Sequence, residues 1–174
     1  MKISRPTKIK RIIFLDFDAC LVHDINSEQA LTAWELKHEC KHPNNGWFNS
    51  PESLDLELNS IQRNENVYND FTMRSDSNTL TVLLTNRPTA LELEVLNALN
   101  HLNVHLHELT FKSYPKELKS TRIAKFIVDY PDVKEIVFYD DLYGHFLDCQ
   151  PLVEEYLKID FNFILVQNET LMAV

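Results

Sequence analysis

Four short apolar runs limit what this chain can fold into: IIFL at 12–15, TVLL at 81–84, IVFY at 136–139 and FILV at 163–166. Each is too short for a helix and lacks the alternation of a half-exposed strand, so each reads as a strand buried on both faces. Stretches with helical spacing lie between them, such as LELEVLNALNHL at 91–102, which Pro88 precedes at a good place for a first helical turn. Alternating buried strands and helices predict an α/β domain built on a mostly parallel, Rossmann-like sheet covered on both faces.

Five strands are expected, near 12–16, 80–85, 104–111, 135–140 and 161–167, with the fifth, fourth, first, second and third side by side. Further helices are expected at 27–41, opened by Ser27 as N-cap, and at 54–62, 67–74, 120–130 and 145–157. The 174 residues suit one domain: a core of 11–22 plus 79–168, and a helical insertion or cap at 23–78 after the first strand.

Composition narrows the function. No apolar stretch approaches the length of a membrane span, so no membrane partner is expected. A net charge of −9 argues against broad electrostatic capture of nucleic acid, while leaving room for a local basic site. The first eleven residues carry five basic residues and no acid, but no targeting segment separates them from the first strand, so they read as a solvated lead-in. Cys20, Cys40 and Cys149 are too far apart for a disulfide framework, which points to a reducing compartment, the cytoplasm or nucleus. Two glycines in the whole chain exclude a Walker A loop or a GxGxxG fingerprint.

Chemistry gathers where the apolar runs stop. The first ends in Asp16-Phe17-Asp18, the second in Thr85-Asn86-Arg87, and a later one in Tyr139-Asp140-Asp141, with Lys112 closing HELTFK between them. In a parallel sheet these carboxyl ends open onto one crevice, where ligands bind. Four carboxylates there repel one another, and burial raises their pKa values. A hard divalent cation resolves that conflict, and an oxygen-only site suits Mg²⁺ completed by a substrate phosphate.

This set of residues resembles the haloacid dehalogenase (HAD) superfamily of phosphohydrolases. The resemblance rests on the apolar strand before Asp16-x-Asp18, Thr85 ending the next core strand, a following lysine, and Asp140-Asp141 after another apolar strand. GWFNSPESL, VLLTNRP, KSTRIAKF and FYDDLYGH are more narrowly similar to the fungal Swiss Army Knife RNA repair-like branch. There the corresponding patterns are about GWW-x-P, LLTGR, ST-x-x-FK and YDDR-x-x-H. This chain departs from them with Asn86 for the Gly and Leu142 for the Arg; Cys20 also replaces a common Thr or Val.

The resemblance implies a HAD-type phosphatase acting through an aspartyl-phosphate. It makes Asp16 the nucleophile and Asp18 the general acid, then base. Asp16, Asp18 (by its main-chain carbonyl), Asp140 and Asp141 would hold Mg²⁺; Thr85, Asn86 and Lys112 would hold phosphate. Lys116, Lys119 and Lys125 are rivals to Lys112, and Arg87 and His145 are candidates for substrate contact. The implied substrate is a phosphorylated RNA or other nucleic-acid end. Two alternatives stay open: a weak or silent HAD-like binding module in an RNA-processing or repair assembly, and a small-metabolite phosphatase. His38, Cys40 and His42, and the pair His105 and His107, are too few for a closed zinc site. Trp34, Trp47 and Phe48 are read as core, with stacking on a base as the alternative.

Overall fold

The computed structural model of the chain describes residues 5–23, 27–43, 46–57, 59–167 and 170–174. Strands β1 (Arg11–Leu15), β2 (Thr79–Pro88), β3 (Glu108–Lys112), β4 (Glu135–Asp140), β5 (Asp160–Gln167) and β6 (Thr170–Ala173) form one sheet in the order β3-β2-β1-β4-β5-β6. The first five are parallel and in the expected order. The sheet has six strands where five were expected, because the chain returns antiparallel beside β5 through β6. TLMA is too short and too exposed to announce itself as a strand.

Among the described residues six α-helices flank the strands: α1 (Ser27–His38), α2 (Glu65–Arg74), α3 (Glu92–His101), α4 (Lys119–Asp129), α5 (Tyr143–Leu147) and α6 (Gln150–Glu155). Strand side chains alternate between two cores, as a period of two demands. Ile13, Leu15, Leu83, Val137 and Tyr139 pack with Val67, Phe71 and Val95 on one face. Ile12, Phe14, Val82, Ile136 and Phe138 pack with Ile123, Ile127 and Phe146 on the other. Burying each of these large side chains contributes about 1.5–3 kcal/mol, enough to make the central strands the rigid floor of the crevice.

Several expected elements differ. Helix α1 ends at His38 rather than 41, and Ser27 is its first residue; that side chain lies outside the described residues. The helix expected at 54–62 is absent among the described residues, where short 3₁₀ turns at Trp47–Asn49 and Pro51–Leu54 stand before it. Pro88 stands just before the first helical turn rather than in it: its backbone is extended (φ −70°, ψ 152°), it ends β2, and the 3₁₀ turn Thr89–Leu91 that follows it runs into α3. The expected helix at 145–157 is two short ones, and Pro151 lies in the first turn of the second. The third strand begins at Glu108, not 104.

Between β1 and β2, residues 23–78 carry α1, the 3₁₀ turns and α2, which the first core face supports. The base of this segment is tied down where His23 N–H donates to the Gln62 carbonyl (2.9 Å) and Asn64 N–H to the Leu21 carbonyl (2.9 Å). Asn64 also caps α2, its side chain accepting from the Asn66 and Val67 N–H groups. Trp34 and Trp47 are buried, each set edge-on to the His42 ring (4.7 and 5.2 Å between centroids), so this cluster is side-lobe core. No helix among the described residues is long and apolar enough to cross a membrane.

The thiols report this packing. Burial pushes Cys149 up to about 12 and Cys20 well above the ordinary thiol range, whereas Cys40 is exposed. At pH 8 the two buried sulfurs stay protonated and shielded. An aromatic disulfide reagent is expected to modify Cys40 quickly in the native protein and all three cysteines in denaturant. Fast native labelling of Cys20 or Cys149 would contradict the packing.

Candidate active site

The chain leaves β1 through a wide turn that presents two acids. Leu21 N–H donates to the Asp16 carbonyl (3.2 Å) and Val22 N–H to the Phe17 carbonyl (3.0 Å), both five residues back. Ala19 takes a left-handed conformation, φ 54°, to close the loop. Phe17, Cys20 and Leu21 point into the core, which anchors the turn, while Asp16 and Asp18 face the crevice end of the sheet.

Lys119, the first residue of α4, stands between two of the strand-end acids. Its Nζ donates to Asp16 Oδ1 at 2.8 Å and to Asp140 Oδ2 at 2.7 Å, and the side chain is 1% exposed. The other Asp140 oxygen, Oδ1, accepts from Leu142 N–H (2.9 Å) and His145 Nδ1 (2.8 Å). Asp16, Asp140 and Asp141 each place a carboxylate oxygen within 4.8 Å of the others. No other group of three or more potential ligands lies close enough together to share an ion among the described residues.

Electrostatics show that one lysine is insufficient for three acids. Burial pushes the Asp16 carboxyl up to about 7 against the pull of Lys119, and the Asp140 charge adds to the rise. Burial likewise raises Asp141, with the Asp140 charge reinforcing it. Asp140 is the exception: burial opposes its charge, but His145 and Lys119 outweigh burial and hold it below the usual carboxylate range. Burial also works against the Lys119 charge, yet the flanking carboxylates keep it above the ordinary lysine value. A divalent cation would relieve the excess, and a close set of carboxylate oxygens fits Mg²⁺.

Asp18 is placed differently. Its carboxylate faces the Arg87 guanidinium, with Nη2 2.7 Å from Oδ1 and Nε 2.9 Å from Oδ2. Arg87 is buried, and its Nη1 donates to the Phe48 carbonyl (2.8 Å) and to Ser53 Oγ (2.7 Å). One side chain thus joins β2, the turn after β1 and the insertion. Thr85 is buried, and its hydroxyl oxygen accepts from Arg87 N–H (3.1 Å).

The lysine expected here, Lys112, closes the edge strand β3 in register with Pro88 and makes neither of these ion pairs. Lys119, one of its rivals, takes the position between the acids. Sequence reading missed Arg122 altogether. Its guanidinium donates to the Thr85 and Thr110 carbonyls (2.7 and 3.2 Å) and to Asn86 Oδ1 (2.9 Å). A basic residue one turn after Lys119 on the apolar-faced helix was the available signal.

Among solved structures, the HAD domain of effector protein Lem4 from Legionella pneumophila matches with a TM-score of 0.56 at 15% sequence identity, covering 92% of this chain and 88% of that one. The fold is that of a HAD domain. An inactive mutant of the Lem4 HAD domain matches with a TM-score of 0.54 at 13% identity, again covering 92% and 88%. A haloacid dehalogenase-like hydrolase from Streptococcus pneumoniae gives a TM-score of 0.49 at 16% identity, over 83% of this chain and 81% of that one. No family model and no curated protein matches the sequence. Within the HAD fold, β1, β2 and β4 lie side by side, and the polar ends described above share one edge of the sheet.

The raised Asp16 pKa has a consequence for stability. Between its ordinary value of 3.8 and about 7, folded Asp16 binds more proton than unfolded Asp16. Its contribution to stability is therefore present at low pH and lost as pH rises across that window. Denaturant unfolding in a metal chelator is expected to show this decline in the wild type and a flatter profile in Asp16→Asn. Equal slopes would place the Asp16 carboxyl in solvent rather than in the core.

Proposed function

We propose that the protein is a Mg²⁺-dependent phosphohydrolase that acts through an aspartyl-phosphate on Asp16, with phosphorylated RNA ends as its substrate. The observation that carries the reading is the Asp16–Lys119–Asp140 bridge beside Asp141, an acid-rich site with one fixed cation. Asp16, Asp140, Asp141 and the main-chain carbonyl of Asp18 are the proposed ligands of the metal. Bound there, Mg²⁺ supplies charge neutralisation between nucleophile and phosphate.

The protein's own residues account for the rest. An Asp16 carboxylate oxygen attacks phosphorus, and the bond from phosphorus to the leaving oxygen breaks as Asp18 gives that oxygen a proton. Asp18 then takes a proton from water, the water oxygen displaces Asp16 from phosphorus, and inorganic phosphate leaves. Lys119 pulls Asp16 towards its charged form against the effect of burial, and orients it for attack. The Thr85 hydroxyl is proposed to hold a phosphoryl oxygen, as is Lys119 in place of Lys112.

The RNA-end substrate rests on the likeness to the Swiss Army Knife RNA repair-like branch. The segments that carry it contribute to one site: Phe48 and Ser53 from GWFNSPESL, Arg87 from VLLTNRP, Lys119 and Arg122 from KSTRIAKF, and Asp140 and His145 from FYDDLYGH. Of the three aromatic residues considered for base stacking, Trp34 and Trp47 are buried, while Phe48 is 39% exposed with Arg87 set over its ring, so Phe48 is the one that reaches solvent.

A specific observation favours a second reading, a silent binding module. Asp18 is engaged by a buried arginine, and exposed Leu142 stands where the related branch carries an arginine. Hydrolysis of an aryl phosphate separates the two. Turnover is expected to require Mg²⁺, to vanish in Asp16→Asn, and to fall about 10²–10⁴-fold in Asp18→Asn. Turnover that survives Asp16→Asn would reject the nucleophile; no turnover with any phosphomonoester would favour the binding module.

A further inference from the structure

The ladder between β2 and β3 opens where the crevice begins. Leu84 pairs with Thr110 and Pro88 with Lys112, so Thr85, Asn86 and Arg87 together oppose Phe111 alone. Such a bulge leaves carbonyls without ladder partners. Arg122 bridges the two strands here, donating from Nη1 to the Thr85 and Thr110 carbonyl oxygens, and turns its Nη2 to Asn86 Oδ1 at 2.9 Å.

That last contact fixes the Asn86 amide. A guanidinium has donors only, so Oδ1 must face Arg122 and Nδ2 must point the other way. There Nδ2 lies 3.4 Å from His145 Nε2. The opposite ring nitrogen, Nδ1, lies 2.8 Å from Asp140 Oδ1, which also accepts from Leu142 N–H, so Nδ1 is the donor. Nε2 is then the ring nitrogen that faces the Asn86 Nδ2 donor, and it accepts there.

Asn86 belongs to β2 and His145 follows β4, and β1 lies between those strands. The pair therefore spans the end of β1, where Asp16 stands. A donor and an acceptor sit side by side, each set from behind by a charged residue. Their mutual contact is the longest of these links. The group that satisfies both at once is a hydroxyl, which accepts and donates.

We propose that Asn86 and His145 form a hydroxyl-reading pair, with Arg122 as its positioning residue. The pair selects phosphomonoesters that carry a hydroxyl beside the phosphate, such as a ribose 2′-hydroxyl next to a 3′-phosphate. The hydroxyl oxygen accepts from Asn86 Nδ2 and its proton is donated to His145 Nε2. This deepens the proposed phosphohydrolase reading and rests on it for the location of the phosphate. A glycine at position 86, as in the resembling branch, has no such amide.

The test is binding to the Asp16→Asn protein in Mg²⁺, comparing uridine 3′-monophosphate with 2′-deoxyuridine 3′-monophosphate by calorimetry. The ribonucleotide is expected to bind about tenfold more tightly, the effect of one well-placed hydrogen bond. Adding Asn86→Gly is expected to bring the ratio to about 1. Arg122→Lys, which keeps a cation but loses the planar fork, is expected to lower the ratio in a protein that still folds. Equal binding of the two nucleotides, binding of neither, or a ratio that survives Asn86→Gly would overturn the proposal. A clear ratio without any hydrolysis by the wild type would uphold the pair and reject the hydrolase. Aryl phosphate hydrolysis with equal nucleotide binding would do the reverse.

Discussion

The bridge from Lys119 to Asp16 and Asp140 is the interaction on which the rest of the site depends. It joins the end of β1, the end of β4 and the start of α4 at a point where the lysine is 1% exposed. Removing one member of such a buried group typically costs about 3–5 kcal/mol, because the charges left behind lose their compensation. The bridge also leaves Asp141 and the raised Asp16 without full neutralisation, which is the electrostatic reason to expect a cation. Stability and the proposed chemistry thus draw on one arrangement of charge.

Around that bridge, three further contacts set the shape of the crevice. Arg87 links Asp18 to the backbone at Phe48 and the hydroxyl of Ser53, so the placement of the second acid depends on the insertion. Arg122 closes the gap in the β2–β3 ladder and orients Asn86. His145 steadies Asp140 from the solvent side. Arg87 and Arg122 take partners from elements distant in sequence, and the strand order brings them together.

Much of the fold was legible because its central strands are apolar on both faces and end abruptly in polar residues. That pattern located β1, β2, β4 and β5 and, with the crevice rule for parallel sheets, the acids at their ends. The edge of the sheet was harder: β6 is four residues long and mostly exposed, so burial left little mark on its composition. Helix ends after residue 38 and around Cys149 were misjudged because helical spacing persists beyond the point where the chain turns. Between β1 and β2 the described residues hold no named strand, as the sequence pattern suggested, but the loops there left no such pattern.

The acids were easier to find than their partners. Asp16 and Asp140 follow apolar runs directly, whereas four lysines between 112 and 125 compete for one position. Only the direction of α4 shows that Lys119 faces the acids. Arg87 was read as a substrate contact, but tertiary structure turns it inward to Asp18. Arg122 carries no motif of its own, since its task is to satisfy carbonyls exposed by a bulge that sequence spacing does not reveal. The central claim, that this crevice directs Asp16 at phosphorus, is tested most directly by acid-quenching the protein during turnover of an aryl phosphate in Mg²⁺ and mapping the trapped phosphoryl group by mass spectrometry. An acid-stable, base-labile phosphate on Asp16 is predicted. Turnover with no covalent phosphate at Asp16, under conditions where attack by water is slower than transfer of the phosphoryl group to the protein, would contradict the account.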